Sequence, residues 1–371
     1  QIFFSKTKRP EVAEVGQDGG VVTGLLSWAL GSEEIDGAVV SAVSEDDEPC
    51  FPSPKVVTSQ DEVISSAGSW YTYCPNNRAL PEVAERDLKK VAFVGVPCQI
   101  TPIRKMEIMD PAFLVGPKKK PKIIGRQREF LRGYADRISF SVGLFCTEVF
   151  RPELMTEKIE QEMSIPLSEV SKFNVKGEVL IYKKDGDVAT IPLEEAMQDY
   201  QRPECAHCGD FSAEMADIAC GGVGTDNATI VVIRTEKGEN IWKEYEKSGL
   251  VEVEPIVNNK RAWNILLRLA RRQRERVPSG PDRSGTSDQV IQYDRGEAML
   301  DMQVALREAI SDREVLDERL KAAYQEEDLN KKSIIYMAGK EIPNDPGTLL
   351  ASGKRKLPPP LGIEEGGSSP L

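Results

Sequence analysis

Histidine is almost missing from this chain: His207 is the single one among 371 residues. That scarcity removes the Ser-His-Asp triad, the multi-histidine metal centre and the paired-histidine acid/base site, and leaves the chemistry of any enzyme here to a bound cofactor. Net positive charge is missing too. Against 60 Asp and Glu stand 48 Lys and Arg, a formal charge of -12 at pH 7, and such a chain repels a nucleic-acid backbone. No stretch reaches the ~18 consecutive apolar residues of a membrane span, and the opening Gln-Ile-Phe-Phe-Ser-Lys lacks the apolar core of a signal peptide. A cytoplasmic location is expected; because the chain begins with Gln rather than Met, what precedes Gln1 is left open. Seven cysteines are too sparse for a disulfide scaffold and odd in number, which favours a reducing compartment with metal or redox use.

What is present centres on four of those cysteines. Cys98 in GVPCQ and Cys146 in GLFC each sit where a strongly apolar stretch runs out, and the pair Cys205-Ala-His-Cys208 follows. The ends of parallel strands lie side by side along one edge of an α/β sheet, where ligands bind, and a CxxC pair brought there closes a four-thiolate cage. From spacing alone the set suits a [4Fe–4S] cluster, a zinc site or inert buried thiols. His207 is a further zinc-ligand candidate or a solvent-facing loop residue. Cys50, Cys74 and Cys220 show no partner in sequence, and structural thiols are the default for them.

Along the chain, strand and helix patterns alternate. Gly37 to Val43, Pro54 to Thr58, Lys90 to Val96, Arg137 to Cys146 and Thr229 to Thr235 read as strands; residues 21 to 30, 101 to 107, 151 to 163 and 239 to 247 read as helices. Ser59-Gln-Asp-Glu62 has the capping-box form for a helix through Ala67. Glu178 to Pro192 reads as a hairpin turning at Asp185-Gly186, and Asp217 to Gly224 as a glycine-rich loop. The expected fold is mixed α/β, tending to α+β: a mixed sheet covered by helices, with an added hairpin and a helical C-terminal extension. The domain boundaries expected are an α/β region over 1–150 with two of the four cysteines, a region over 151–255 with the hairpin, the CxxC pair and the glycine-rich loop that completes the site, a helical extension over 256–343 and a disordered tail over 344–371. Within the extension, 261–276 is a basic helix, 277–288 a Pro/Gly/Ser linker and 295–327 a long charged helix.

Other motifs are ambiguous in isolation. Gly16 to Gly20 opens a helix, and glycines there either let the backbone approach a phosphate or make a tight turn before a core helix. Ser65 to Asn77 combines small residues with aromatics that stack on a flat heterocycle or simply fill core. Arg104 and Lys105 are candidate anion-binding or cofactor-tuning cations, or solvated surface charges. Lys118 to Lys122 and Arg126 to Arg137 form the densest basic run of the core, or a solvated loop.

Taken in order, GQDGGVVT, AGSWYTYCPN, VGVPCQITPIRKM, GLFC, PECAHCGDFSAEMADI and GGVG resemble the family of coenzyme F420-reducing hydrogenase and dehydrogenase β subunits, over about residues 14 to 255. The resemblance implies an iron–sulfur flavoprotein with FAD and a [4Fe–4S] cluster, passing electrons between coenzyme F420 and a partner redox protein within a hetero-oligomer. It implies Cys98, Cys146, Cys205 and Cys208 as cluster ligands. Gln17, Asp18, Gly19, Gly20 and Thr23 become flavin-site candidates, joined by Ser69, Tyr71 and Asn76, then Gln99, Arg104 and Lys105. No side chain is implied as an acid or base, since hydride transfer belongs to the cofactors. The basic runs become candidates for the acidic tail of the deazaflavin. Cys74 and Cys220 depart from the family pattern and leave the ligand set not unique. Two other readings stay open: a ferredoxin-linked flavoprotein reductase of the same superfamily, and a zinc-stabilised interaction protein.

Overall fold

Apolar alternation along the strands decides the architecture. In β4 (Val91–Gly95), Val91 and Phe93 point into one core layer while Ala92 and Val94 point into the other; β10 (Thr229–Ile233) splits Ile230 and Val232 from Val231 and Ile233 in the same way. Successive side chains leave a strand on opposite faces, so a strand apolar at every position must be covered on both. The computed structural model describes residues 1–108, 121–225 and 227–276, apart from the side chains of 121–124. The expected linker 277–288, the charged helix 295–327, the tail from 344 and the side chains of the Lys118–Lys122 run lie outside it.

Eight strands form one sheet in the order β11-β1-β10-β9-β5-β4-β2-β3. They are β1 (Ile2–Thr7), β2 (Gly37–Ala42), β3 (Ser53–Val57), β4, β5 (Ile138–Leu144), β9 (Ile218–Gly221), β10 and β11 (Val251–Pro255). The centre, β9-β5-β4-β2, is parallel; β3 on one flank and β10, β1 and β11 on the other each pair antiparallel with their neighbours. The mixed sheet expected from sequence is present. Helices Leu80–Glu85, Pro97–Ile108 and Lys260–Glu275 cover one face, and Val21–Gly31 and Glu236–Lys247 the other. The capping box forms: the Glu62 amide donates to Ser59 Oγ at 3.2 Å and the Ser59 amide to Glu62 Oε2 at 3.1 Å, worth about 1 kcal/mol to a short helix.

The predicted hairpin is β7 (Glu178–Lys183) with β8 (Val188–Pro192), and β6 (Val170–Val175) extends it to a separate antiparallel sheet. That sheet has its own core, where Phe173, Ile181 and Ile191 pack with Phe150, Leu154, Ile159 and Tyr200. One reading changes: the stretch Ile218–Gly221, expected as loop, is a central strand that buries Cys220. β9, β10 and β11 return to the large sheet, so the small sheet and its core lie between β5 and β9, over about residues 150–200. Past residue 255, Ile256, Ala262, Trp263 and Leu266 are buried in the core. Among the described residues no helix is long and apolar enough to cross a membrane.

Candidate functional site

The carboxyl ends of β4, β5 and β9 share one edge, and three loops are laced across it. β4 passes through Val96 into the helix Pro97–Ile108, which places Cys98 in the first turn. Gly95 is needed there: a Cβ would come 2.8 Å from Gln99 Oε1, which accepts the Val96 amide at 2.9 Å. Beyond β5, the amide of Phe145 donates to the Cys220 carbonyl and that of Cys146 to the Phe211 carbonyl, both at 2.8 Å. The Phe150 amide donates to the Tyr71 carbonyl at 2.8 Å, and the Arg202 amide to the Val149 carbonyl at 2.9 Å. Residues 71, 146 to 150 and 201 to 211 are thereby held as one rim, with Cys205 and Cys208 flanking the turn Pro203–His207.

All four predicted cysteines reach this rim, and each lies within electrostatic reach of the other three. Burial pushes the Cys146 thiol well above its ordinary range, and Cys98, Cys205 and Cys208 push it further. Cys208 is pushed up to about 12, again by burial first and then by Asp210, Cys98 and Cys205. Cys98 is accessible yet crowded enough for desolvation to raise its thiol, the condition of a group lining a crevice. Arg202 stands near Cys98 and Cys205 and lies over the Tyr73 ring at 5.1 Å. Among the described residues, no three His, Cys, Asp or Glu side chains are grouped tightly enough to hold a metal ion. Cys74 instead points its thiol at Asn76 Oδ1 at 3.1 Å, and Cys220 lies in the interior.

The glycine-rich loop lies beside the cysteines. Asp18, Gly19 and Gly20 take successive φ values of 47°, 101° and 64°, and the loop hands over to the helix Val21–Gly31 with no side-chain cap. The first amides of that helix are left to other acceptors, with Thr23 half-buried in the first turn. The second glycine motif meets the first: a Cβ on Gly222 would fall 2.2 Å from the Asp18 carboxylate. Gln17 donates to the Tyr71 hydroxyl at 3.2 Å. Burial raises that hydroxyl, and Asp18 and Cys146 both act on it, so Tyr71 joins the glycine loop to the cysteines. Burial also raises Asp18, against the pull of Lys176 at 3.4 Å and the Asn174 side chain.

The remaining predicted residues divide. Ser69 is half-buried in the loop before Tyr71. Asn76 pins two strand ends, donating to the Val94 carbonyl at 2.9 Å and accepting from Ser41 at 3.0 Å. Gln99 braces the Cys98 turn, its side-chain amide reaching the Cys74 carbonyl. Arg104 is buried and committed inward, to Asp217 and Glu107 at 2.5 Å each, to the Met215 carbonyl at 2.7 Å and to Ser141 at 3.2 Å. Lys105 is half-exposed on the same helix. Sequence reasoning missed Lys172 and Asn174 of β6 and Lys176 just past its end, which act on Asp18. Their alternation is a visible signal; which loop they face is not.

Residues 2–81 match the family model described as coenzyme F420 hydrogenase/dehydrogenase, beta subunit N-term, and residues 88–259 match its C-terminus counterpart. The chain belongs to this family. The coenzyme F420 hydrogenase subunit beta of Methanothermobacter thermautotrophicus is 32% identical over 280 residues, spanning 75% of this chain and 92% of that protein. The coenzyme F420-dependent sulfite reductase of Methanocaldococcus jannaschii is 35% identical over 260 residues, covering 68% of this chain and 38% of that longer protein. A chain of the F420-reducing [NiFe] hydrogenase complex from Methanosarcina barkeri shares the fold at a TM-score of 0.65 and 30% identity, covering 74% of this chain and 89% of that one. The β-subunit family models end at residue 259, inside the core of this molecule and short of the helix Lys260–Glu275.

Proposed function

We propose that this chain is the coenzyme F420-linked electron-transfer subunit of an oxidoreductase complex, holding FAD and a [4Fe–4S] cluster and serving a partner redox protein. The observation that carries the reading is the meeting of Cys98, Cys146, Cys205 and Cys208 at the edge of the parallel strands, each in reach of the others. The donor set fits by its chemistry: four soft thiols from three segments, the ligand type and number that a [4Fe–4S] cluster takes. When bound, a flavin supplies the exchange between the two electrons of a hydride and the single electrons a cluster accepts.

The chain's own residues position and shield. Gly19 and Gly20 supply the left-handed turn that leads into the helix Val21–Gly31, whose uncapped first turn offers amides to an anion. Gln17 and Tyr71 fix one wall, while Lys172 and Lys176 bring cations to a loop that otherwise carries only Asp18. No side chain at the rim is required to move a proton, in keeping with a sequence holding one histidine.

Anaerobically purified chain should be yellow-brown, with flavin bands and a broad iron–sulfur shoulder, and reduced coenzyme F420 should bleach the flavin. Iron should fall sharply in Cys205→Ala and in Cys208→Ala while flavin persists. Unchanged iron in both variants would overturn the ligand set; a colourless wild-type chain would overturn the whole reading.

A further inference from the structure

Helix Lys260–Glu275 is anchored at its start and reaches the cysteine rim at its end. Ala262, Trp263 and Leu266 fix the first half in the core, and the Asn259 side chain caps it, accepting the Ala262 amide at 3.0 Å. Near the other end, Gln273 is 1% exposed and donates from Nε2 to the Thr147 carbonyl at 3.1 Å. Arg276, which closes the helix, donates from Nη1 to the carbonyls of Thr147 at 2.9 Å and Cys205 at 3.0 Å. Its Nη2 pairs with Glu148 Oε2 at 3.4 Å, and that carboxylate is itself buried and accepts the Thr147 hydroxyl at 2.7 Å.

We infer that Arg276, seconded by Gln273, is a positioning residue for the cluster: one guanidinium ties the segment bearing Cys146 to the segment bearing Cys205 and fixes how far apart these two thiols stand. The inference rests on the cluster proposed above and concerns a helix that lies past the residues matched by the family models, 2–81 and 88–259. Chemistry favours arginine here. Its planar fork serves two carbonyls and a carboxylate together, which the single ammonium of lysine does less well. Groups that orient metal ligands without touching the metal typically change metal affinity by about 10–100-fold when removed.

The test uses the full chain. In Arg276→Gln, chelator-driven iron loss should run about tenfold faster than in wild type, with the electron paramagnetic resonance signal of the reduced cluster shifted or broadened. Arg276→Lys should recover part of both, and Arg272→Gln on the exposed face should change neither. A second measurement does not depend on iron: in chain prepared iron-free, maleimide should label Cys205 faster in Arg276→Gln and in Gln273→Met at unchanged circular dichroism. Wild-type iron retention, signal and labelling in Arg276→Gln would overturn this inference while leaving the cluster reading intact. A wild-type chain that never binds iron, with labelling unaltered by either substitution, would overturn both.

Discussion

Against one face of the sheet, Arg104 meets Asp217 and Glu107 at 2.5 Å each, whereas on the sheet's carboxyl edge Cys98, Cys146, Cys205 and Cys208 crowd acid against acid. Burial alone would raise the Asp217 carboxyl, yet Arg104 and hydrogen bonds from Thr235 and Ser141 hold it below its ordinary value. Every rim thiol is instead raised, with desolvation foremost. The Arg104 cluster pairs opposite charges. The rim gathers thiols that disfavour one another's ionisation, eased at Cys98 and Cys205 by Arg202.

The largest effect should come from stranding a charge in the interior. Arg104→Met leaves Asp217 buried and unpaired and should cost about 3–5 kcal/mol in denaturant unfolding, with flavin content per folded chain unchanged. Flavin loss at full stability would break the comparison and return Arg104 to the cofactor site. Next in size, Gly222→Ala drives a methyl into the Asp18 carboxylate and should cost about 1–3 kcal/mol through overpacking, with weakened flavin binding by fluorescence titration.

A pH series sharpens the same contrast. Because the folded Asp217 carboxyl sits below its unfolded value, its contribution is full above about pH 4 and is lost as pH falls through the lower folded value. The stability gap between wild type and Asp217→Asn, read from denaturant midpoints, should therefore narrow from pH 6 to pH 3. A constant gap would show that Asp217 does not titrate as a paired acid. At the rim, removing one of several like acids should matter little: Cys146→Ala in iron-free chain should shift stability by about 1 kcal/mol or less. Smallest of all, Lys176→Ala breaks a partly exposed pair with Asp18 and should cost less than about 1 kcal/mol. Its mark should be a weaker apparent affinity for coenzyme F420.

Legibility followed length and periodicity. β4 and β5 were readable because each is an apolar run with a glycine or cysteine at its end, and the Ser59 capping box because its pattern is local. Ile218–Gly221 escaped notice: four residues ending in glycine carry too little pattern, and parallel pairing with β5 alone makes them a strand. β1, β6 and β11 were missed for a related reason, since edge and flanking strands mix polar and apolar residues. In the site, Tyr71 and Gln17 share a hydrogen bond that no spacing rule anticipates, and Arg104, which reads as a cofactor cation, is consumed by Asp217.

Composition and local pattern settled which chemistry was available: soft thiols without imidazoles, glycine turns before a helix, and strands apolar on both faces. They did so because period and turn conformation are properties of a few neighbouring residues. Tertiary packing settled which thiols lie along the sheet's carboxyl edge, that Cys220 lies inside a central strand instead, and that Arg276 hydrogen-bonds both the Thr147 and the Cys205 carbonyls. Those outcomes depend on contacts between segments far apart in the chain, which are chosen by burial and by the pairing of charges across the whole fold.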